Sequence, residues 1–131
     1  MESVDAFFNS YARAFAAYDA DAIAACYVVP CLFVRDGAPV SVTTAAGLAE
    51  SVAALLDLHR AWDVQTVRPA TVSLLEHGPG HATARVDWRL GRAASRMTWT
   101  FATSYTLVPD ALVPEPDRWR VAVAVTHDAP F

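Results

Sequence analysis

The sequence predicts an α+β domain in which helices formed by the first half of the chain pack on an antiparallel sheet formed by the second half. Two patterns carry this prediction. Apolar residues recur at three- and four-residue steps as far as His59, and from Asp63 onward they alternate along extended segments. The chain has 131 residues, of which 54% are hydrophobic and 18% charged, so one domain can bury a core and a disordered chain is excluded.

The first two helices are predicted close together near the start of the chain. The first covers residues 4–18 behind Ser3, whose hydroxyl can cap the free N–H groups of the first turn. Its buried face is formed by Val4, Phe7, Phe8, Tyr11, Phe15 and Tyr18. A short second helix begins at Asp19 and Asp21, and we expect Pro30 to close it because proline cannot continue the hydrogen-bond ladder.

A strand and a third helix follow. Residues 31–34 are predicted to form a strand, and Asp36-Gly37 followed by Pro39 marks a tight turn. The third helix starts behind Thr43 or Thr44, either of which can cap it. Its inner stripe is Leu48, Val52, Leu55, Leu56 and His59.

The second half of the chain is predicted to be an antiparallel meander. Its strands cover residues 63–76, 82–90, 96–108 and 119–126, joined by turns rich in Gly and Pro. The last strand is apolar on both alternating faces, so its outer side needs a cover that the helices do not supply. We therefore expect a homodimer formed through the outer face of the sheet.

Composition excludes several classes of function. The formal net charge is −4 and the ten basic residues, all arginine, are spread along the chain, so no nucleic-acid surface is predicted. The absence of lysine excludes Schiff-base chemistry. Cys26 and Cys31 are too few for a disulfide scaffold and are predicted to be buried. No uncharged apolar run approaches the roughly 20 residues that span a bilayer, so we expect no membrane contact and a cytoplasmic location.

Short motifs spread along the whole chain carry a family resemblance. They are Tyr11, Asp19-Ala-Asp-Ala-Ile23 before Cys26-Tyr27, Asp36-Gly37, Arg118-Trp119-Arg120-Val121 and His127-Asp128. In this order the chain resembles the nuclear transport factor 2-like superfamily, which includes SnoaL-like and ketosteroid isomerase-like branches. The resemblance implies a single domain over residues 1–131 with a cystatin-like cone fold, in which three N-terminal helices pack on a strongly curved, mainly antiparallel sheet. Because the superfamily mixes enzymes with binding modules, it implies fold more firmly than function.

The ketosteroid isomerase branch offers the most specific comparison, because its mechanism needs a carboxylate base and an oxyanion hole of a tyrosine and a protonated aspartic acid. The comparison implies that Tyr11 takes the place of the oxyanion tyrosine and Tyr27 that of a supporting tyrosine. The base position falls on Arg35, or on Asp36 after a shift of one residue. Thr103 stands, within two residues, where the acidic donor is expected. Since neither acid is clearly in place, steroid-type proton abstraction is not implied.

The same comparison turns one set of side chains into the cone. These pocket-lining positions are Phe15, Phe33, Val86, Trp88, Trp99, Phe101, Thr103, Tyr105 and Thr126. Alanine at the inward positions Ala84, Ala122 and Ala124 leaves room, so the resemblance implies an apolar cavity with a few polar groups and without metal or cofactor. The alternative is that the aromatic rings fill the cone as ordinary core packing.

The polar residues outside the cone give weaker evidence of function than the residues that line it. Arg85, Asp87 and Arg89 share the opposite face of their strand and are predicted to form an outward row of ion pairs. His77 and His81 flank a hairpin tip with no third metal ligand nearby in sequence.

The implied apolar cavity with a few polar groups predicts binding of a small apolar or weakly anionic molecule. The protein is then a cofactor-independent isomerase, cyclase or dehydratase, or alternatively a non-enzymatic ligand-binding or dimerisation module.

Overall fold

The structure, a computed structural model, describes residues 2–92, 98–110 and 117–129. Within these residues the helices are α1 (Val4–Ala16), α2 (Ala20–Ala24) and α3 (Ala45–Ala61), and the strands are β1 (Tyr27–Arg35), β2 (Ala38–Val42), β3 (Thr66–His77), β4 (Ala82–Gly91), β5 (Thr98–Pro109) and β6 (Trp119–His127). The predicted α+β class is confirmed. No helix in the described part of the chain is long and apolar enough to cross a membrane.

The six strands form one sheet in the order β2-β1-β6-β5-β4-β3. Every neighbouring pair is antiparallel except β1 and β6, which run parallel. The sheet is therefore mixed but mainly antiparallel, as predicted. Because β6 returns beside β1, the first and last strands are neighbours in the sheet, and residues distant in sequence reach one site.

Each helix begins at a residue whose side chain accepts a hydrogen bond from the first turn. Ser3 caps α1, Asp19 caps α2, and Thr44 rather than Thr43 caps α3 by accepting from the N–H of Gly47. Caps of this kind are each worth about 1 kcal/mol. They fix where the helices start and so which side chains face the sheet.

The first strand begins earlier than the sequence predicts. Helix α2 ends at Ala24, and β1 already starts at Tyr27, so Pro30 lies within a strand and does not close a helix. The N–H of Val121 donates to the carbonyl of Cys26 at 2.7 Å, which starts the pairing of β1 with β6. The register is irregular between Tyr27 and Leu32, where a proline without an N–H is tolerated.

A bulge in β6 changes which of its residues face the core. The register passes from Thr106–Val123 to Leu107–Val121, leaving Ala122 as an extra residue. Simple alternation predicts Ala122 at the inner position, whereas the structure fully buries Val121 opposite Leu107 and leaves Ala122 half-buried. The start of β5 predicted at Arg96 lies outside the described residues.

The core lies between the helices and the concave face of the sheet and is rich in aromatic rings. Phe8 is completely buried, and its ring centroid lies 5.1 Å from that of Phe7 and 4.8 Å from that of Tyr105. Leu56 of α3 and Val86 of β4 are also buried. This packing holds α1 against the sheet and sets the position of Tyr11, one helical turn after Phe7.

Candidate functional site

A small cavity lies between the inner face of the sheet and helices α1 and α3. Its volume is about 70 Å³. The lining residues are Tyr11, Phe15, Arg35, Leu55, His59, Val67, Trp88, Leu90, Phe101, Tyr105, Thr126 and Ala129. The lining is mostly apolar, and its hydrogen-bonding or charged side chains come from six different elements, so the cavity depends on the folded sheet rather than on one local motif.

Three tyrosines cluster beside this cavity: Tyr11 and Tyr105, which line it, and Tyr27, which contacts Tyr11. The hydroxyls of Tyr11 on α1 and Tyr27 on β1 share a hydrogen bond. The indole Nε1 of Trp88 donates to the hydroxyl of Tyr105 at 3.0 Å. Hydrogen bonds also link Tyr105 with Tyr11 and Thr103, so the three phenols form one network.

Burial keeps these phenols protonated. It raises the pKa of Tyr11 and of Tyr27 well above the ordinary value, with smaller contributions from the neighbouring tyrosines. Burial also raises the pKa of Tyr105 to about 12, against the opposing effect of its hydrogen bonds with Trp88, Tyr11 and Thr103. At neutral pH the three phenols are therefore protonated, in surroundings where a hydrogen bond to a developing negative charge is strong.

His59 adds an imidazole that the sequence did not assign to the site. It lies near the end of α3, only 4% exposed, with its ring centroid 5.3 Å from that of Phe15. Burial lowers its pKa to about 4, so the ring is neutral at pH 7. The signal in the sequence was the helical spacing of Val52, Leu56 and His59, which placed the ring on the inner face of the helix without showing that a cavity adjoined it.

Arg35 lies at the end of β1, where the cavity meets a second space. Its register partner on β6 is Thr126, which also lines the cavity. The second space, here called the α3–β2 groove, has a volume of about 380 Å³. It is lined by Phe15, Ile23, Tyr27, Phe33, Arg35, Ala38, Val40, Ser51, Val52, Ala54, Leu55 and Leu58. Phe15, Arg35 and Leu55 line both spaces, so the groove adjoins the cavity.

Most of the residues that the sequence singled out lie at these two spaces. Tyr11, Phe15, Arg35, Trp88, Phe101, Tyr105 and Thr126 line the cavity, while Tyr27 and Phe33 line the groove. Val86 and Thr103, predicted to line the pocket, are buried at 0% and 3% exposure and line neither space. Two predicted residues, Asp36 and Trp99, lie elsewhere.

Asp36 is exposed in the turn between β1 and β2. Both Asp36 and Gly37 have positive φ, at 51° and 76°, as a two-residue hairpin turn requires. A side chain at the tip of such a turn projects into solvent, so the prediction that Asp36 lies at the site is wrong in position. The terminal residue of the strand itself, Arg35, is the one that lines the cavity.

Trp99 faces the core side of β5 but does not line the cavity, although its register partner Leu90 does. Its ring centroid lies 5.4 Å from that of Trp62, and the guanidinium of Arg92 lies 5.0 Å from it. It thus packs against the residue that follows α3. Alternation placed Trp99 on the correct side of its strand, but alternation does not show how far the cavity extends along the strand.

The remaining polar groups lie outside the cavity. His81 Nε2 is 3.2 Å from Glu76 Oε1, and the His77 ring packs against Trp119. Arg85 pairs with Asp87 at 3.4 Å on the exposed face of β4. Within the ranges that the structure describes, no three His, Cys, Asp or Glu side chains are grouped closely enough to hold a metal ion.

The fold and its tyrosine-lined cavity define an α+β protein of the cystatin-like, cone-shaped class. The chain belongs to the family described as NTF2-like protein (DUF6841), whose model matches residues 2–129. The superfamily resemblance recognised in the sequence is therefore confirmed. No curated protein sequence matches this chain.

Solved structures with the same fold share little sequence with this chain. An NTF2-like protein of unknown function from Shewanella oneidensis is 16% identical, with a TM-score of 0.69 over 95% of this chain and 96% of that one. A protein of unknown function with a cystatin-like fold from Nostoc punctiforme is 8% identical, with a TM-score of 0.74 over 97% and 89%. A protein from Thiobacillus denitrificans, provisionally described as a calcium/calmodulin-dependent protein kinase type II association domain, is 15% identical, with a TM-score of 0.70 over 98% of both chains. At these identities the similarity shows the fold alone.

Proposed function

We propose that this protein binds a small, largely apolar carbonyl compound in the cavity and moves a proton on it without a cofactor, as an isomerase or lyase. One observation carries the proposal: Tyr11 and His59, whose imidazole is neutral, line the same apolar cavity. An O–H donor and a neutral base are the two groups that enolisation of a carbonyl compound needs.

The hydroxyl network supplies the electrophilic half of this reaction. When a proton leaves the carbon next to a carbonyl group, negative charge develops on the carbonyl oxygen. Either hydroxyl of the Tyr11–Tyr27 pair can be the donor, and when Tyr27 donates to Tyr11 the single Tyr11 proton is left to donate to that oxygen. Removal of one such donor typically lowers the rate by about 100- to 1000-fold.

His59 supplies the basic half. Its neutral imidazole takes the proton from the carbon, and the electron pair of the broken C–H bond forms the carbon–carbon double bond of the enolate. Return of the proton to a different carbon completes an isomerisation, and loss of a β-substituent completes an elimination. The lining contains no Asp or Glu among the described residues, so the imidazole takes the role that a carboxylate has in steroid isomerases.

Deuterium exchange tests the proposal. Cyclohexanone, a neutral enolisable ketone, and pyruvate are incubated with the protein in D₂O, and loss of the α-proton signals is followed by NMR. We expect exchange above the buffer rate with at least one probe, and a loss of that excess in Tyr11→Phe. Tyr18→Phe is the matched control, because the Tyr18 hydroxyl donates to the backbone carbonyl of Val64 outside the cavity lining. Equal rates in the wild type and Tyr11→Phe would exclude Tyr11 as the donor.

A second candidate is a binding or assembly module without catalysis. The cavity volume of about 70 Å³ favours it, since ligand pockets usually measure roughly 300–1,000 Å³. The fold similarity to a protein provisionally described as a kinase association domain also supports it. Absence of exchange with either probe, together with measurable binding of small carbonyl compounds, would favour this candidate over the enzyme.

We also infer that two copies associate through the outer face of the sheet. Leu32 pairs with Val123, and Val34 pairs with Val125, across β1 and β6. All four side chains lie on the face opposite Phe33 and Ala124, which pack in the core, and all are only half-buried. Light scattering should give the mass of a dimer for the wild type and of a monomer for Val123→Arg. Val40→Arg, at an exposed position away from this face, is the control. A wild-type monomer would exclude the dimer.

A further inference from the structure

We propose that the ligand of this site is an oxo acid with an apolar tail, whose carboxylate pairs with Arg35 and whose tail lies in the α3–β2 groove. This inference rests on the proposed function for the placement of the carbonyl group, but its carboxylate and tail are argued from Arg35 and the groove. It assigns a substrate class to the site and a role to a surface that the proton transfer itself does not use.

Charge favours an acid. Arg35 is the one Arg or Lys among the described residues that line the cavity or the groove, and no described Asp or Glu lines either space. His59 stays neutral at pH 7. The described lining thus places one cationic group at the junction, a guanidinium, which binds carboxylates through two parallel hydrogen bonds.

Volume favours a ligand that occupies both spaces. The cavity measures about 70 Å³ and can hold only the reactive end of a metabolite. The adjoining groove adds about 380 Å³, which brings the site into the usual range of ligand pockets, roughly 300–1,000 Å³. Because Phe15, Arg35 and Leu55 line both spaces, a carbonyl group inside the cavity and a tail in the groove would flank the guanidinium.

The groove has the surface expected for an apolar tail. Apart from Arg35, Ser51 and the Tyr27 hydroxyl, its lining side chains are hydrocarbon. Val40 on β2 and Leu58 on α3 line it and are 55% and 37% exposed, among the most exposed large apolar residues of the described chain. A tail lying between them would remove this apolar surface from water.

Binding of simple carboxylates tests the charge and the tail separately from catalysis. Butanoate, hexanoate and octanoate are titrated by calorimetry, each beside its primary amide, which has a similar shape without the charge. We expect affinity to rise by up to about fourfold per methylene while the tail stays within the groove. We expect each carboxylate to bind at least about tenfold more tightly than its amide, as a charge-assisted pair with a guanidinium implies.

Variants separate the two contacts. Arg35→Gln should remove the preference for the carboxylate over the amide, and Arg35→Lys should restore part of it. Leu58→Gln, a neutral change at an exposed position of the groove, should weaken octanoate binding by a larger factor than butanoate binding. Arg60→Gln is the control, because Arg60 is an exposed arginine of the same helix paired with Asp57 outside both spaces. A circular dichroism spectrum of each variant, compared with that of the wild type, tests whether the variant is folded.

Two results would overturn the inference: an affinity independent of chain length, or equal binding of carboxylate and amide by the wild type. Failure of the proposed function looks different. If the carboxylates bind as expected while no probe exchanges its protons, the acid site stands and the catalysis does not. If cyclohexanone exchanges while the carboxylates show no preference over their amides, the catalysis stands and the acid site does not.

Discussion

Burial of the neutral His59 ring makes the stability of this protein depend on pH, and His59→Leu should remove that dependence. In the unfolded chain the imidazole takes up a proton near its ordinary pKa of 6.5, whereas in the folded protein it stays neutral down to a pKa of about 4. Between these values the unfolded state binds more protons, so the contribution to stability is complete above pH 6.5 and is lost as the pH falls towards 4. The lowered pKa corresponds to a total change of about 3 kcal/mol in the free energy of unfolding.

Urea denaturation followed by tryptophan fluorescence measures this contribution. Between about pH 7.5 and about pH 5, the wild type should lose about 2 kcal/mol more free energy of unfolding than His59→Leu loses, because only the wild type carries the buried imidazole. With an m-value of about 2 kcal/mol per molar urea, the urea midpoint of the wild type should fall by about 1 M more than that of His59→Leu between the two pH values.

Leu56→Ala provides the control for destabilisation as such. Leu56 lies on the same helix, 2% exposed, and its truncation should cost about 2–5 kcal/mol at both pH values, since no titratable group is removed. The free energy of unfolding that Leu56→Ala loses between the two pH values should therefore match the loss of the wild type. Parallel losses for the wild type and His59→Leu would refute the burial of a neutral imidazole and remove His59 as the base.

Four further substitutions test the packing, ion pairs and helix cap that hold the fold together. Phe8→Ala should lower the free energy of unfolding by about 3–5 kcal/mol in urea titrations, since it empties a fully buried position. Asp110→Ala leaves Arg120 without its ion-pair partner at 3.1 Å and should cost about 3 kcal/mol, whereas Asp57→Ala breaks an exposed pair and should leave Tm nearly unchanged. Thr44→Ala removes the cap of α3 and should cost about 1 kcal/mol in thermal unfolding, and an unchanged Tm would contradict the capping role.

The sequence predicted the helices well because their signals are local. Ser3, Asp19 and Thr44 are side chains that can cap a helix, and helical spacing showed which face of each helix is buried. The boundary between α2 and β1 was missed for a non-local reason. Tyr27 begins a strand because β6, nearly a hundred residues later in the chain, pairs with it, and this pairing places Pro30 in the sheet.

The site was predictable as a set of residues but not as a shape. Alternation and the family resemblance brought Tyr11, Trp88 and Tyr105 to one cavity, because a strand places every second side chain on the same face. Its boundaries depend on packing volume, which sequence does not give. For that reason the sequence did not show that Trp99 lies outside the cavity lining. His59 was found on the inner face of its helix, but nothing in its spacing showed that an open space adjoins it.

The most direct test of the proposed chemistry is the exchange of the α-protons of phenylpyruvate for deuterium. This probe combines an enolisable carbonyl group, a carboxylate for Arg35 and an apolar ring for the groove. We expect the wild type to accelerate the exchange above the buffer rate and Tyr11→Phe to reduce that acceleration by about 100-fold or more, while Tyr18→Phe retains it. An exchange rate in the presence of wild-type protein no higher than in buffer would contradict the account.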